Sequence, residues 1–363
     1  MGEKCPLSCR HCAYKGKKSH DTEPQPEILH NVWNSLDIYQ PKWISLSGKE
    51  PTVFPEWLCK TAYRVKRPET HVILMTNGLL LHDELFECLR SNVDCFDISL
   101  DGDKPAHDWM RGEGRFEATW KTLSHLAKCE GTKIGVIATA VNSYLPDRRW
   151  QPNAILSLAK QMNEEYGHSA SISLSISLYY GQPHDPLLLT KQHLEFLIEG
   201  LLGYDLPIIF LLTAHYSHMW GEIIRDLKLN IDTLEYEINT GVPVLQVANM
   251  RLIPFNMFEN QAQTIRVSNQ GKVYVGCNHL SWDDQTELAY QIGDLKQEPF
   301  EYVLRQFVNR LHPVARQLDK VPYICSRCEH WESCRGGDRI SGLYYYGVAK
   351  DPYCPILNKR DSQ

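Results

Sequence analysis

The stretch Cys5-Pro6-Leu7-Ser8-Cys9-Arg10-His11-Cys12 sets three thiols at the spacing C-x3-C-x2-C, and the next cysteine comes only at Cys59. Soft thiolates select iron–sulfur clusters or zinc over hard cations, and a [4Fe–4S] cubane held entirely by protein takes four cysteines. Three at this spacing leave one iron open to a small molecule. Two blander readings stand beside this one: half of a zinc site, or three unrelated core thiols. Zinc sites usually pair two C-x2-C knuckles, and the opening residues offer little apolar material for a core.

Outward from this loop, apolar runs alternate with amphipathic stretches as far as Asp185, the pattern of repeated βα units around a parallel sheet. The runs predict strands at Trp43–Ser47, His71–Thr76, Phe96–Leu100, Lys133–Val141 and Ser171–Tyr180. Helices are predicted at Glu27–Leu36, Pro55–Val65, His82–Arg90, Phe116–Lys128, Asn153–Glu164 and Lys191–Gly200. In parallel α/β architectures the chemistry gathers at the carboxyl ends of the strands, where loops converge.

Those loops and the leading thiols together resemble the radical S-adenosylmethionine (SAM) superfamily, whose cysteine triplet carries an aromatic or similar residue, here His11, before its last member. The resemblance implies a partial (β/α)6 barrel. It also implies a [4Fe–4S] cluster on Cys5, Cys9 and Cys12 whose open iron chelates SAM and cleaves it to a 5′-deoxyadenosyl radical. A sixth strand is expected ahead of Cys5, where only Met1–Lys4 stand, so that strand is either vestigial or the true start lies upstream. Ser47-Gly48-Lys49-Glu50-Pro51 resembles the family's GGEP element, in which backbone and carboxylate hold the SAM amino group; Gly48 and Glu50 match, and Lys49 has no counterpart. Glycine lets backbone approach a ligand, although such a turn is in general only a strand-to-helix connection. Thr76-Asn77-Gly78 and Ser99-Leu100-Asp101-Gly102 resemble the family's TNG and S-x-DG elements. Asn77, Ser99 and Asp101 thereby become cofactor-binding candidates, with ribose contact and plain turn formation both open for Ser99 and Asp101. His107–Gly112 resembles a segment that supplies an arginine near the SAM carboxylate, which a guanidinium fork suits; Arg111 is that candidate, against a solvated loop cation.

Ser171–Leu178 alternates hydroxyl and apolar side chains, so one face turns to the helices and the other into the barrel. Either the serines admit a polar cofactor and substrate or small side chains merely fit a narrow barrel. Tyr179, Tyr180 and His184 follow as candidate substrate contacts. Residues 1–185 are thus read as the barrel core, 186–263 as a bridging segment expected to hold substrate contacts, with apolar Ile208–Leu212 inside it, and 264–363 as a second unit.

That second unit opens with Thr264–Val267 and Lys272–Val275 around Ser268-Asn269-Gln270-Gly271, a hairpin signal, followed by Cys277. Cys325, Cys328, Cys334 and Cys354 then form C-x2-C-x5-C…C, a set able to ligate a cluster or a tetrahedral zinc ion. The pattern resembles the SPASM domain, whose seven cysteines serve two auxiliary clusters. This chain has Glu298 and Asp338 where that pattern has cysteines, so the resemblance implies one auxiliary [4Fe–4S] cluster on Cys325, Cys328, Cys334 and Cys354, with a mixed-ligand second cluster as a lesser reading. Cys277 is left either as a buried small hydrophobe or as a catalytic hydrogen-atom donor to a substrate radical. Cys59, Cys88, Cys95 and Cys129 read as packing residues.

A net charge of −6 over 363 residues argues against a nucleic-acid groove, and no stretch reaches the length of a membrane span. Metal-spaced cysteines point to a reducing cytoplasm rather than to a disulfide framework. The resemblance implies an electron donor such as flavodoxin or ferredoxin. No room for an amino-terminal peptide-recognition module precedes the thiols, which tilts the expected substrate toward a carbohydrate, cyclitol or other small polar molecule, with a peptide residue still open. The expected outcome is epimerisation or oxidation; cross-linking of a peptide and a non-catalytic cluster- or zinc-binding scaffold are the alternatives.

Overall fold

The computed structural model describes residues 4–12, 23–179, 185–212, 219–229, 233–236, 243–254, 264–275, 291–306 and 325–328. Helix α1 (Pro26–Ser35) leads into strand β1 (Trp43–Leu46), α2 (Pro55–Val65), β2 (His71–Thr76), α3 (Asp83–Leu89), β3 (Cys95–Ser99), α4 (Lys104–Arg111), α5 (Arg115–Leu126), β4 (Ile134–Ala140), α6 (Gln151–Tyr166) and β5 (Ile172–Leu178). The predicted strands and helices of this part all form, with ends shifted by one or two residues. Helix α4 is an addition that the sequence reading left as a segment around Arg111. Its signals were local: Asp103 caps it through a bond from the Ala106 N–H, Pro105 stands in the first turn, and Gly112, at φ 117°, stops it.

Beyond Asp185 the βα rhythm continues, which corrects the expectation of a bridge without it. Helix α7 (Lys191–Leu201) feeds β6 (Ile208–Leu212), and α8 (Trp220–Asp226) follows. The five-residue apolar run at 208–212 is too short for periodicity to tell a buried strand from a helix fragment. Strands β7 (Thr233–Tyr236), β8 (Pro243–Val247) and β9 (Met250–Pro254) complete a nine-stranded sheet in the order β1-β2-β3-β4-β5-β6-β9-β8-β7. Strands β1 to β6 and β9 pair in parallel; β7 and β8 are antiparallel.

Alternation along the strands decides which face meets the helices. Val72, Leu74, Phe96, Ile98, Val136, Leu174, Ile176 and Phe210 are fully buried in one continuous core with Leu58, Phe86, Leu123, Leu158 and Leu197 of the helices. Each such side chain contributes about 1.5–3 kcal/mol by leaving water. The serines of β5 turn the other way, Ser173 and Ser177 half-buried and Ser175 buried, as the period of two requires. Cys59 of α2 and Cys88 of α3 are joined as a disulfide, their Cα atoms 6.1 Å apart, so these two are not the independent packing thiols expected.

A three-stranded antiparallel sheet, β10 (Ile265–Val267), β11 (Lys272–Val275) and β12 (Gln291–Asp294), forms the second unit with α9 (Phe300–Arg305). The hairpin turn closes on Gly271, whose φ of 83° only glycine adopts freely. Helix α1 ties this unit to the barrel. Ile28 enters the small core with Val273, Ile292, Phe300 and Val303, while the Asn31 amide donates to the carbonyls of Leu295 and Glu298 and accepts from the Phe300 N–H.

Candidate active site

Cys5, Cys9 and Cys12 lie on a loop docked against the last turn of α4. The Arg10 N–H donates to the Met110 carbonyl at 2.9 Å, Arg10 Nε donates to the Trp109 carbonyl at 2.8 Å, and the guanidinium stands 4.8 Å from the centre of the Trp109 ring. Two helix-terminal carbonyls, otherwise without a partner in the helix, are used to hold the loop. Within the loop, the Leu7 N–H points at Cys5 Sγ (3.4 Å) and the Cys12 N–H at the Cys9 carbonyl (3.2 Å).

Burial raises the thiols of Cys5 and Cys9, the latter to about 11, against the lowering influence of the Leu7 N–H at Cys5 and of Arg111 at Cys9. Sheltered thiols of this kind become thiolates when a metal replaces the proton, and the donor set suits a cubane, which spreads its cysteines over separate irons. Among the described residues no three His, Cys, Asp or Glu side chains converge as a single metal ion would require.

At the carboxyl end of β1, Glu50 is 1% exposed. Its Oε1 accepts from the Thr52 N–H (3.1 Å), the Thr52 hydroxyl (2.6 Å) and the Thr76 hydroxyl (2.7 Å), and its Oε2 accepts from the Asn77 N–H (2.8 Å). One oxygen is thus saturated and the other keeps acceptor capacity. Gly48, with φ 150°, lets the chain turn just ahead of it. Asn77 is buried, its Oδ1 accepting from the Leu79 N–H while its Nδ2 has no partner.

Asp101 is fully buried. Its Oδ2 accepts from Arg111 Nε at 2.5 Å and its Oδ1 from the Thr139 N–H at 3.0 Å. Burial alone would raise this carboxyl, but Arg111 outweighs it and holds the group well below the usual carboxylate range. Both oxygens are therefore committed to protein, which favours a positioning role over ribose contact. Arg111, read from sequence against a loop cation, ends α4 with its Nη2 3.5 Å from His11 Nε2. Burial lowers His11 and also His107, the latter to about 4, leaving both imidazoles neutral. The Asp101 N–H donates to His107 Nδ1, and Gln151 Nε2 donates to the carbonyls of Asp101 and Thr139. Ser99 sits half-buried on the sheet face turned from the helices.

His11 Nδ1, Asn77 Nδ2 and His107 Nε2 are buried polar atoms without partners, all on loops or helices at this end of the sheet. Buried polar atoms normally find partners, so three orphans together fit a polar cofactor. Sequence reasoning missed Thr52, Thr76, Arg10, His107 and Gln151; only the first two had a signal, their nearness to Glu50 and Asn77. Cys325 and Cys328 flank a short 3-10 turn, with the Cys328 N–H donating to the Cys325 carbonyl at 3.1 Å. Tyr180, His184, Cys277, Cys334, Asp338 and Cys354 lie outside the described residues.

A mostly parallel α/β sheet with a three-thiol loop and a buried acid at its carboxyl end defines a class, the radical SAM fold. The first 147 residues match the model of the Radical SAM superfamily, whose members work with a [4Fe–4S] cluster and SAM. Over 143 residues the chain is 30% identical to the mycofactocin maturase MftC of Mycobacterium ulcerans, covering 38% of each. Over 135 residues it is 33% identical to the AdoMet-dependent heme synthase of Methanosarcina barkeri, covering 35% of this chain and 37% of that one. The match thus spans well under half the length of these relatives. Among solved structures, anSMEcpe with bound AdoMet superposes with a TM-score of 0.66 at 15% identity over 99% of this chain and 93% of its own. Streptococcus suis SuiB bound to the precursor peptide SuiA gives 0.66 at 12% identity over 98% and 74%. The shared fold therefore extends past the barrel into the carboxyl-terminal part. No helix among the described residues is long and apolar enough to cross a membrane.

Proposed function

We propose that this chain is a radical SAM enzyme that modifies a peptide residue. The observation that carries the reading is the convergence on one sheet end of three docked thiols, the four-donor Glu50 carboxylate and the Asp101–Arg111 pair. A [4Fe–4S] cluster held by Cys5, Cys9 and Cys12 would supply the electron for reductive cleavage of SAM, and with it the means of removing a hydrogen atom from the substrate.

The chain's own residues bind and orient. Cys5, Cys9 and Cys12 hold the cluster, and α4 holds their loop through Arg10. Glu50 Oε2 takes an ammonium group, its position fixed by Thr52 and Thr76. Asp101 aims Arg111 through Nε so that the remaining guanidinium edge receives a carboxylate. His11, Asn77 and Gly48 shape the rest of the cofactor cradle, with Ser99 within the same wall. Cys325, Cys328, Cys334 and Cys354 hold one auxiliary [4Fe–4S] cluster. Reducing power comes from a flavodoxin or ferredoxin in the cytoplasm.

The peptide reading draws on the whole-chain fold likeness to SuiB, whose structure holds its precursor peptide, and to anSMEcpe, solved with a peptide. A small polar substrate such as a carbohydrate or cyclitol is the second reading, favoured by the serine-lined sheet face. Oxidation would use the auxiliary cluster as electron acceptor, and epimerisation would use Cys277 as hydrogen-atom donor. The test is anaerobic reconstitution with iron and sulfide, then dithionite and SAM. Release of 5′-deoxyadenosine is expected; intact SAM in cluster-loaded protein would mean a scaffold instead.

A further inference from the structure

Below the cofactor end, the sheet face turned from the helices holds a carboxyl group that the functions above do not use. Phe96 and Ile98 of β3 are buried toward the helices, Phe96 against Phe86 with ring centres 5.4 Å apart. Cys95, Asp97 and Ser99 therefore share the opposite face. Strand register sets Asp97 in a row with Met75 of β2, Gly135 of β4 and Ser173 of β5. Met75 is 41% exposed, so this face is open at that point. The next row toward the carboxyl ends holds Ser99, Ile137, Ser175 and Ile209, and register continues from Ile209 to Arg251.

Gly135 makes the space that Asp97 occupies. A Cβ at that residue would lie 2.3 Å from Asp97 Oδ1, so the carboxyl reaches over bare backbone where any other residue would displace it. Its hydrogen bond is from the Cys95 thiol at 3.6 Å, a weak donor, and no lysine or arginine nitrogen lies within ion-pair distance among the described residues. Burial pushes this carboxyl up to about 6, the mark of an acid short of partners. Beyond Gly135 stands the Ser173 hydroxyl, two strand spacings, about 10 Å, from the Asp97 backbone. The gap between them is unfilled by residue 135.

From the Asp97–Gly135–Ser173 row we infer that the barrel face carries a subsite for a primary ammonium group of the substrate, with Asp97 as its counter-ion and Ser173 as a second acceptor. An ammonium offers three donors to such a divided set of acceptors, and pairing removes the penalty of a sheltered, poorly partnered acid. The subsite lies four residues before Asp101 along the strand direction, about 13 Å down the sheet. It suits the far end of a long side chain whose reacting carbon stays at the cofactor end. The inference rests on the radical SAM reading for that division of labour. A lysine side chain and a free small amine share this chemistry, and the test separates them.

The test uses anaerobic, cluster-loaded protein with SAM, titrated calorimetrically with Nα-acetyl-lysine methylamide, its norleucine counterpart lacking the ammonium, and 5-aminopentanol. The ammonium ligands are expected to bind at least about tenfold more tightly than the norleucine compound. Asp97→Asn, and independently Gly135→Ala, should erase that advantage while the cluster's spin signal shows that each variant is assembled. Tighter binding of the lysine compound than of aminopentanol assigns the site to a peptide; equal binding assigns it to a small amine. Absence of an ammonium preference in the unaltered protein, or its survival in both assembled variants, overturns the inference. If 5′-deoxyadenosine forms without any such preference, the subsite fails and the enzyme reading stands; if the preference holds but SAM is never cleaved, the reverse is true.

Discussion

Replacing Asp97 by asparagine should stabilise the protein at neutral pH. The substitution keeps the size of the group and removes the charge, and among the described residues the bond at stake is the weak one from Cys95. A carboxyl moved from its ordinary 3.8 to about 6 by burial costs about 3 kcal/mol when fully ionised. The sign follows from proton counting. Between those two values the native protein binds more protons than the unfolded chain, so stability falls as pH rises through the window and levels off above it. The neighbouring Cys95 thiol, which burial pushes up to about 12, stays protonated throughout. Urea unfolding of cluster-loaded protein, followed by tryptophan fluorescence, should give the variant an advantage of about 3 kcal/mol at pH 7.5 and about half that at pH 5. An equal stability at both pH values, or a gain that does not change with pH, would refute the reasoning. A group that costs the folded state stability is what a binding role at the expense of the fold would leave.

Arg111→Met should destabilise by about 3–5 kcal/mol, because it strands the buried Asp101 charge; urea unfolding measures this, and SAM binding by equilibrium dialysis should be lost with it. Arg10→Ala removes the Trp109 contacts and should lower iron bound per chain after reconstitution, read by iron assay, while leaving the far-ultraviolet circular dichroism of the barrel unchanged. Joint Cys325→Ser and Cys328→Ser should cut the iron content by about four per chain and spare the SAM-responsive spin signal; loss of zinc in place of iron would show a structural zinc site. Cys277→Ala separates the two chemical outcomes, since an epimerase would stop turning over or leak other products and an oxidase would still form product.

The chain's local chemistry was legible without coordinates. The cysteine spacing, the turn residues after each strand and the alternation of Ser171–Leu178 are short-range patterns, and the helices and strands up to α6, apart from α4, follow from them. Strand β6 was not legible as a strand, because a run of five apolar residues carries no period. The pairing of Asp101 with Arg111 was hidden for a related reason: each residue had a plausible partner in the cofactor, and only the docking of α4 brings the guanidinium to the carboxylate first.

Sequence alone determined the thiol loop, the βα order, the serine face and the second cysteine group, since spacing and periodicity are properties of neighbouring residues. Tertiary structure decided which of these meet. Arg10 reaches Trp109 across 99 positions and Asn31 reaches Leu295 across 264, distances in sequence over which no local pattern carries information. The space for Asp97 likewise exists only because strand register sets a glycine beside it, and register is fixed by the packing of the whole sheet rather than by either strand.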